Sequence, residues 1–205
     1  MKVNDELINK PEIKINSKND KITIDGAEIK IQEHIYLILN KPKGYISATE
    51  DRTQKTVLDL VPKKYLHRDL FPAGRLDKDT TGLMLITDDG KFAHDILSPR
   101  KHVKKAYNVT LDISVTEEMV EGFEKGIMLN DGECKTAVLD KTGPNTCIVT
   151  LTEGRYHQIK RMFWCFGAKV VELQRIGMGK LNLPDDLKLG ECRELTTEEL
   201  EKIKN

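Results

Sequence analysis

Apolar and polar residues alternate most clearly in the first third of the chain. Lys21-Ile22-Thr23-Ile24 and Glu28-Ile29-Lys30-Ile31 flank Asp25-Gly26, which predicts a β-hairpin with a two-residue turn. Ile35 to Leu39 predicts a strand that Asn40-Lys41-Pro42-Lys43-Gly44 ends. Leu83 to Thr87 is a short apolar run closed by Asp88-Asp89-Gly90, and Lys105 to Leu111 alternates with period two. Further strands are predicted from Lys135 to Leu139, from Thr146 to Thr152 and at Val170, Val171 and Leu173. Helical spacing joins Ile159, Met162, Phe163 and Phe166, with Gly167 placed to cap the C-terminus. Thr56–Leu60, Lys91–Leu97, Thr116–Lys125 and Thr197–Lys204 are the other predicted helices. Strands and helices intersperse without a regular βαβ rhythm. The expected class is therefore α+β, a mixed, largely antiparallel sheet with flanking helices. Residues 1–34 read as a small β-rich piece and residues 35–205 as the main domain.

Composition adds bounds. The chain has 205 residues, 39% hydrophobic and 32% charged, as in an ordinary soluble globular protein with room for a real core. No apolar stretch approaches the roughly 20 residues of a membrane span, and the N-terminus lacks a signal-peptide core, so the cytoplasm is the expected location. Cys134, Cys147, Cys165 and Cys192 are widely spaced with no Cys-x-x-Cys pair, which argues against zinc and against a disulfide framework. Formal net charge is zero, yet its distribution is uneven. Residues 91–110 carry five basic residues against Asp95, and residues 154–180 carry six against Glu172. Two basic islands of this kind would attract phosphate if the fold brought them together.

The chemistry concentrates in the segment from Gly74 to Gly90, where Asp77 and Asp79 occupy a polar loop just ahead of the apolar run. A carboxylate on a tight turn that feeds a rigid strand is well placed for reaction. Asp77-x-Asp79-x-Thr81 fits the nucleophile pattern of haloacid-dehalogenase phosphatases, but that pattern belongs at the C-terminal end of a buried parallel strand. Phe71-Pro72-Ala73-Gly74 interrupts any such strand before Asp77. A glycosidase would need two working carboxylates across a sugar, and only Asp77 has a clear role. Around residue 155, the start of the predicted helix and Arg155 together could receive a phosphate.

Three blocks then occur in order: Gly74-Arg75-Leu76-Asp77-x-x-Thr80-x-Gly82-Leu83, Lys105-x-Tyr107-x-Val109, and Glu153-Gly154-Arg155-Tyr156-His157-Gln158-Ile159-Lys160-Arg161-Met162. Together they resemble the Rsu-type pseudouridine synthases, with similarity running from Tyr36 to the C-terminus. Asp79-Thr80-Thr81-Gly82, Thr87-Asp88-Asp89-Gly90, Ser98-Pro99-Arg100 and Tyr156-His157-Gln158 resemble the branch that acts on small-subunit ribosomal RNA. The resemblance implies the pseudouridine synthase catalytic fold and isomerisation of a uridine within RNA. The bond from ribose to ring nitrogen breaks, the base rotates, and a ring carbon joins the ribose. It implies no metal and no organic cofactor, ribosomal RNA as the partner, no membrane, and a monomer.

By the same resemblance, Asp77 matches the catalytic carboxylate, Tyr107 the active-site tyrosine that stacks on the base, and Lys160 the basic position paired with the aspartate. Arg75 and Arg155 are candidate phosphate or base contacts, with Arg75 equally suited to a structural ion pair. Lys41, Lys43, Arg100, Lys101, Lys104, Lys105 and Arg161 are candidates to position the RNA backbone. His157 and Gln158 are expected to shape the helix start rather than to meet substrate. The target base would have to leave its stack to expose the glycosidic bond. Rsu-type enzymes usually carry an alpha-L RNA-binding module of two helices and a small sheet, and residues 1–34 resemble only the sheet half, as a truncated module would. A noncatalytic ribosomal-RNA-binding or ribosome-assembly protein on the same scaffold is the alternative, and Asp77 counts against it.

Overall fold

The computed structural model describes residues 1–8, 12–13, 20–29, 32–98, 101 and 103–204. It divides into two compact units, Met1–Ile35 and Tyr36–Asn205. The first unit contains β1 (Lys2–Val3), β2 (Glu6–Leu7), β3 (Ile22–Ile24) and β4 (Ala27–Ile29), paired antiparallel in the order β2-β1-β3-β4. Asp25 (φ 51°) and Gly26 (φ 84°) are both left-handed, the backbone that lets a two-residue turn follow the strand twist. Lys30 and Ile31 of the predicted second strand lie outside the described residues.

The second unit is built on a sheet whose main path is β11-β12-β8-β13-β7-β5-β15. In chain order its strands are β5 (Tyr36–Lys41), β6 (Phe71–Pro72), β7 (Thr81–Thr87), β8 (Lys105–Leu111), β9 (Met128–Leu129), β10 (Gly132–Glu133), β11 (Val138–Lys141), β12 (Thr146–Leu151), β13 (Val170–Met178), β14 (Leu181–Asn182) and β15 (Cys192–Glu194). β14 pairs with β13 and β6 with β7, while β9 and β10 form a separate hairpin. Every described pair of named strands is antiparallel except β13 with β7. The helices are α1 (Gly90–Leu97), α2 (Glu117–Lys125), α3 (Gln158–Trp164) and α4 (Thr197–Lys204). Among the described residues no helix is long and apolar enough to cross a membrane.

Local chemistry accounts for the element ends. The Asp89 side chain caps α1 by accepting from the Phe92 amide at 2.9 Å, and Thr116 caps α2 by accepting from the Met119 amide. Leu83 and Leu85 of β7 join Ile38, Phe92, Ala93, Ile96 and Ile203 in one buried cluster, which places α1 and α4 against the sheet. Under α2 and α3, the Phe123 and Phe163 rings meet at 4.7 Å. Burial keeps the Cys147 and Cys192 thiols protonated, raised to about 11 and about 12.

Several elements differ from the sequence reading, and in three of them the cause is visible. The predicted Thr56–Leu60 helix is a 3₁₀ helix, Val57–Leu60, opened by the Thr56 amide donating to Asp59 Oδ2. β11 begins at Val138 rather than Lys135, because the Ala137 amide is turned to the Phe123 carbonyl. β13 continues to Met178, well past Leu173, since its pairing with β8 carries it through Gln174, Arg175 and Gly177, residues that break an apolar run.

Candidate active site

Asp77 stands in the turn that feeds β7, where the Thr80 amide donates to the Asp77 carbonyl at 3.1 Å. It precedes β7 rather than following a parallel strand, so the phosphatase arrangement weighed from the sequence is not built here. The turn is held from beneath by Lys41 at the end of β5. This side chain is fully buried, and Nζ donates to the carbonyls of Thr80 (2.8 Å), Asp77 (3.0 Å), Pro42 (3.2 Å) and Lys78 (3.3 Å). Burial pulls the Lys41 ammonium down to about 8, against the opposing pull of Asp79 and Asp77. The expectation that Lys41 touches the RNA backbone is therefore corrected: its charge is enclosed and committed to the turn. Gly82 (φ 99°) lies opposite Arg175 in the parallel pairing of β7 with β13, and a Cβ there would lie 2.2 Å from the Arg175 carbonyl oxygen.

The Asp77 carboxylate faces two basic side chains from the N-cap and first turn of α3. Lys160 Nζ lies 3.2 Å from Oδ2, and His157 Nε2 lies 3.4 Å from Oδ1. Lys160 is shared, reaching Asp79 at 2.7 Å and 2.8 Å. Burial opposes its charge, but hydrogen bonding to Asp79 and Asp77 outweighs this and raises its pKa. Asp79 shows the converse: burial opposes its charge, and Lys160 nevertheless lowers its pKa.

His157 was not expected to face the carboxylate. It occupies the N-cap of α3 with φ 47° and ψ 34°, a left-handed conformation that costs a non-glycine residue about 1 kcal/mol. Its ring stacks on Tyr156, with centroids 3.8 Å apart and planes 19° apart. The available signal was the i, i+3 spacing of His157 and Lys160, which brings both to one side of a helical turn. Arg175 was missed as well. It is 1% exposed and its Nε donates to the Leu83 carbonyl at 2.6 Å, while Nη2 has no hydrogen-bond partner among the described residues.

Tyr107 is buried in β8, opposite Arg175 of β13, which in turn pairs with Gly82 of β7. A register shift between Arg175 and Gly177 marks a bulge in β13 at this level. Lys105, two residues from Tyr107, is also buried, and its Nζ donates to the Val103 carbonyl; burial, then Arg175, lowers its pKa.

The other basic candidates separate by partner. Lys43 pairs with Glu172 at 2.6 Å and Arg161 with Asp131 at 2.5 Å. Arg155 donates to the Gly132 and Glu133 carbonyls, clamping the β9–β10 hairpin, and its amide donates to Gln158 Oε1. The phosphate site expected at this helix start is thus occupied by the protein's own acceptors. Arg75, Lys101 and Lys104 are exposed. Lys101 and Lys104 line a hollow of about 750 Å³ with Lys91 and Lys180, and the Gly179 amide bonds the Lys104 carbonyl at 2.8 Å, so the two basic islands meet there. Arg100 lies outside the described residues.

The family model for RNA pseudouridylate synthase matches residues 35–164. An uncharacterised RNA pseudouridine synthase of Bacillus subtilis (strain 168) is 43% identical over 191 residues, covering 91% of this chain and 80% of its own. Ribosomal small subunit pseudouridine synthase A of Escherichia coli (strain K12) is 42% identical over 205 residues, covering 98% of this chain and 87% of its own. Among solved structures, a pseudouridylate synthase crystal structure aligns with TM-score 0.79 at 38% identity, over 98% of this chain and 87% of that one.

Proposed function

This chain belongs to the RNA pseudouridylate synthase family, and from that premise we propose that it converts one specific uridine of small-subunit ribosomal RNA to pseudouridine, with Asp77 as the reacting carboxylate. The observation that carries the reading is the Asp77 carboxylate held 3.2 Å from Lys160 and 3.4 Å from His157 within the segment the family model matches. The reaction is an isomerisation: the bond from ribose C1′ to N1 breaks, one from C1′ to C5 forms, C5 loses a proton and N1 gains one. Attack of a carboxylate on the sugar and removal of a sugar proton are the two routes open to Asp77, and both start from the carboxylate anion beside Lys160. Tyr107 supplies the flat wall against the uracil and a hydroxyl that can relay a proton from C5 to N1, giving up its own as it receives the other. The uridine reaches this group extruded from its stack, because the glycosidic bond is otherwise shielded by neighbouring bases.

Arg75, Lys101 and Lys104 hold the RNA backbone in this reading, and residues 1–34 act as a partial alpha-L RNA-binding module that adds affinity. The small-subunit substrate is supported by the Escherichia coli relative at 42% identity. The test is to incubate the purified chain and Asp77→Asn with unmodified small-subunit ribosomal RNA and map pseudouridine by chemical probing. A single new site made by the unaltered chain, and absent with Asp77→Asn at retained RNA affinity, is the expected outcome. RNA binding without any modification by the unaltered chain would transfer the protein to the noncatalytic class.

A further inference from the structure

We infer that the Tyr156–His157 stack is a platform for a nucleobase of the RNA, a neighbour of the extruded uridine rather than the uridine itself. The inference rests on the synthase reading and extends it to a second base-binding position. Tyr156 is 74% exposed although it is a large aromatic residue. One face of its ring is taken by His157 at 3.8 Å, which leaves the other face to solvent. Nothing in a core or a helix start calls for that arrangement, whereas an uncovered aromatic face on a rigid support is how proteins receive an unpaired base.

The support is rigid at both members. The Tyr156 carbonyl accepts from Arg161 Nη1 at 3.2 Å, and Arg161 is itself fixed by Asp131 at 2.5 Å and 3.1 Å. His157 is held in its left-handed conformation at the start of α3, with Nε2 3.4 Å from Asp77. A base laid on the outer face of Tyr156 would rest on a ring whose stacking partner, His157, reaches Asp77 at 3.4 Å, which suits a nucleotide neighbouring the reacting one. Stacking is indifferent to base identity, so the platform holds the splayed strand in place and leaves selection of the site to other contacts.

The test uses a single-stranded RNA 12-mer of alternating uridine and 2-aminopurine, whose fluorescence falls when the purine stacks. All binding is measured on the Asp77→Asn chain, so turnover does not interfere. The expected result is quenching on binding, retained with Tyr156→Phe, and lost with Tyr156→Leu together with roughly ten-fold weaker binding, within the range one stacked base contributes. Equal quenching with Tyr156→Leu overturns the inference, as does no quenching by the Asp77→Asn parent, or a loss with Tyr156→Phe as large as with Tyr156→Leu. Failure of the synthase reading is a separate observation: no pseudouridine made in small-subunit ribosomal RNA by the unaltered chain.

Discussion

Replacing Gly82 with alanine would drive a methyl group to 2.2 Å from the Arg175 carbonyl oxygen, in a backbone conformation (φ 99°) that a side chain rarely adopts. The two strands would have to part where the Asp77 turn enters the sheet. Gly82→Ala is expected to cost about 2–4 kcal/mol, read as a lower urea midpoint with unchanged slope; a midpoint equal to that of the parent would show that β7 and β13 separate easily. Lys41 and Lys160 make a second point about single residues. Both are lysines close to Asp77, and the sequence marks Lys160 through its motif, but nothing local separates a lysine that faces the carboxylate from one buried beneath the turn. That distinction arises from pairing between β5 and β7, which aligns Lys41 with Gly82.

At the scale of elements, α4 shows a helix start that depends on one carboxylate. The Thr196 amide donates to Glu199 Oε2 at 2.8 Å, the Glu199 amide donates to Thr196 Oγ1 at 3.2 Å, and Arg193 grips both Glu199 oxygens at 2.7 Å and 2.8 Å. Arg193 holds the Glu199 carboxyl down at about 2, against the opposing effect of burial. A folded-state pKa below the unfolded one contributes stability that is present above the ordinary glutamate value of about 4.5 and lost as pH falls toward 2. Discounted for partial exposure, the contribution is about 1–2 kcal/mol. Thermal melts from pH 6 to pH 2 should therefore converge for the parent and Glu199→Gln at the acid end, with the parent ahead at pH 6; a constant gap would remove Glu199 from the acid response. The elements most legible in the sequence were those with one dominant local signal: β8 by strict alternation, the β3–β4 hairpin by Asp25-Gly26, and α4 itself. β13 was cut short because its continuation is set by pairing, and β15 was missed because its three half-buried residues, Cys192–Glu194, gain a strand's shape only beside β5.

Across the whole molecule, a net charge of zero conceals a local basic face. Several of the basic residues around Asp77 are committed to carboxylates or carbonyls, while the exposed Lys91, Lys101, Lys104 and Lys180 line one hollow together with Asp89 and Asp95. Charge reversal of Lys101 and Lys104 should weaken RNA binding and reduce the slope of log affinity against log salt by about 1.5 to 2, as two lost phosphate contacts would. An unchanged slope would place the RNA elsewhere. The sequence located the islands, but could not say that Lys104 and Lys180 would meet, since that follows from β8 lying antiparallel to β13.

The parallel pairing of β13 with β7 also has a consequence for the order in which the protein comes into being. Arg175 and Leu83, joined by a buried hydrogen bond, are 92 residues apart in the chain, and the edge strand that completes the sheet beside β5 is Cys192–Glu194. A polypeptide emerging from the ribosome carries Asp77 before Lys160 and well before the strand that fixes Gly82, whose Arg175 lies 92 residues beyond Leu83. The grouping around the carboxylate therefore cannot be completed until both later segments have been made, and a nascent chain that stops short of them holds Asp77 without Lys160 and His157.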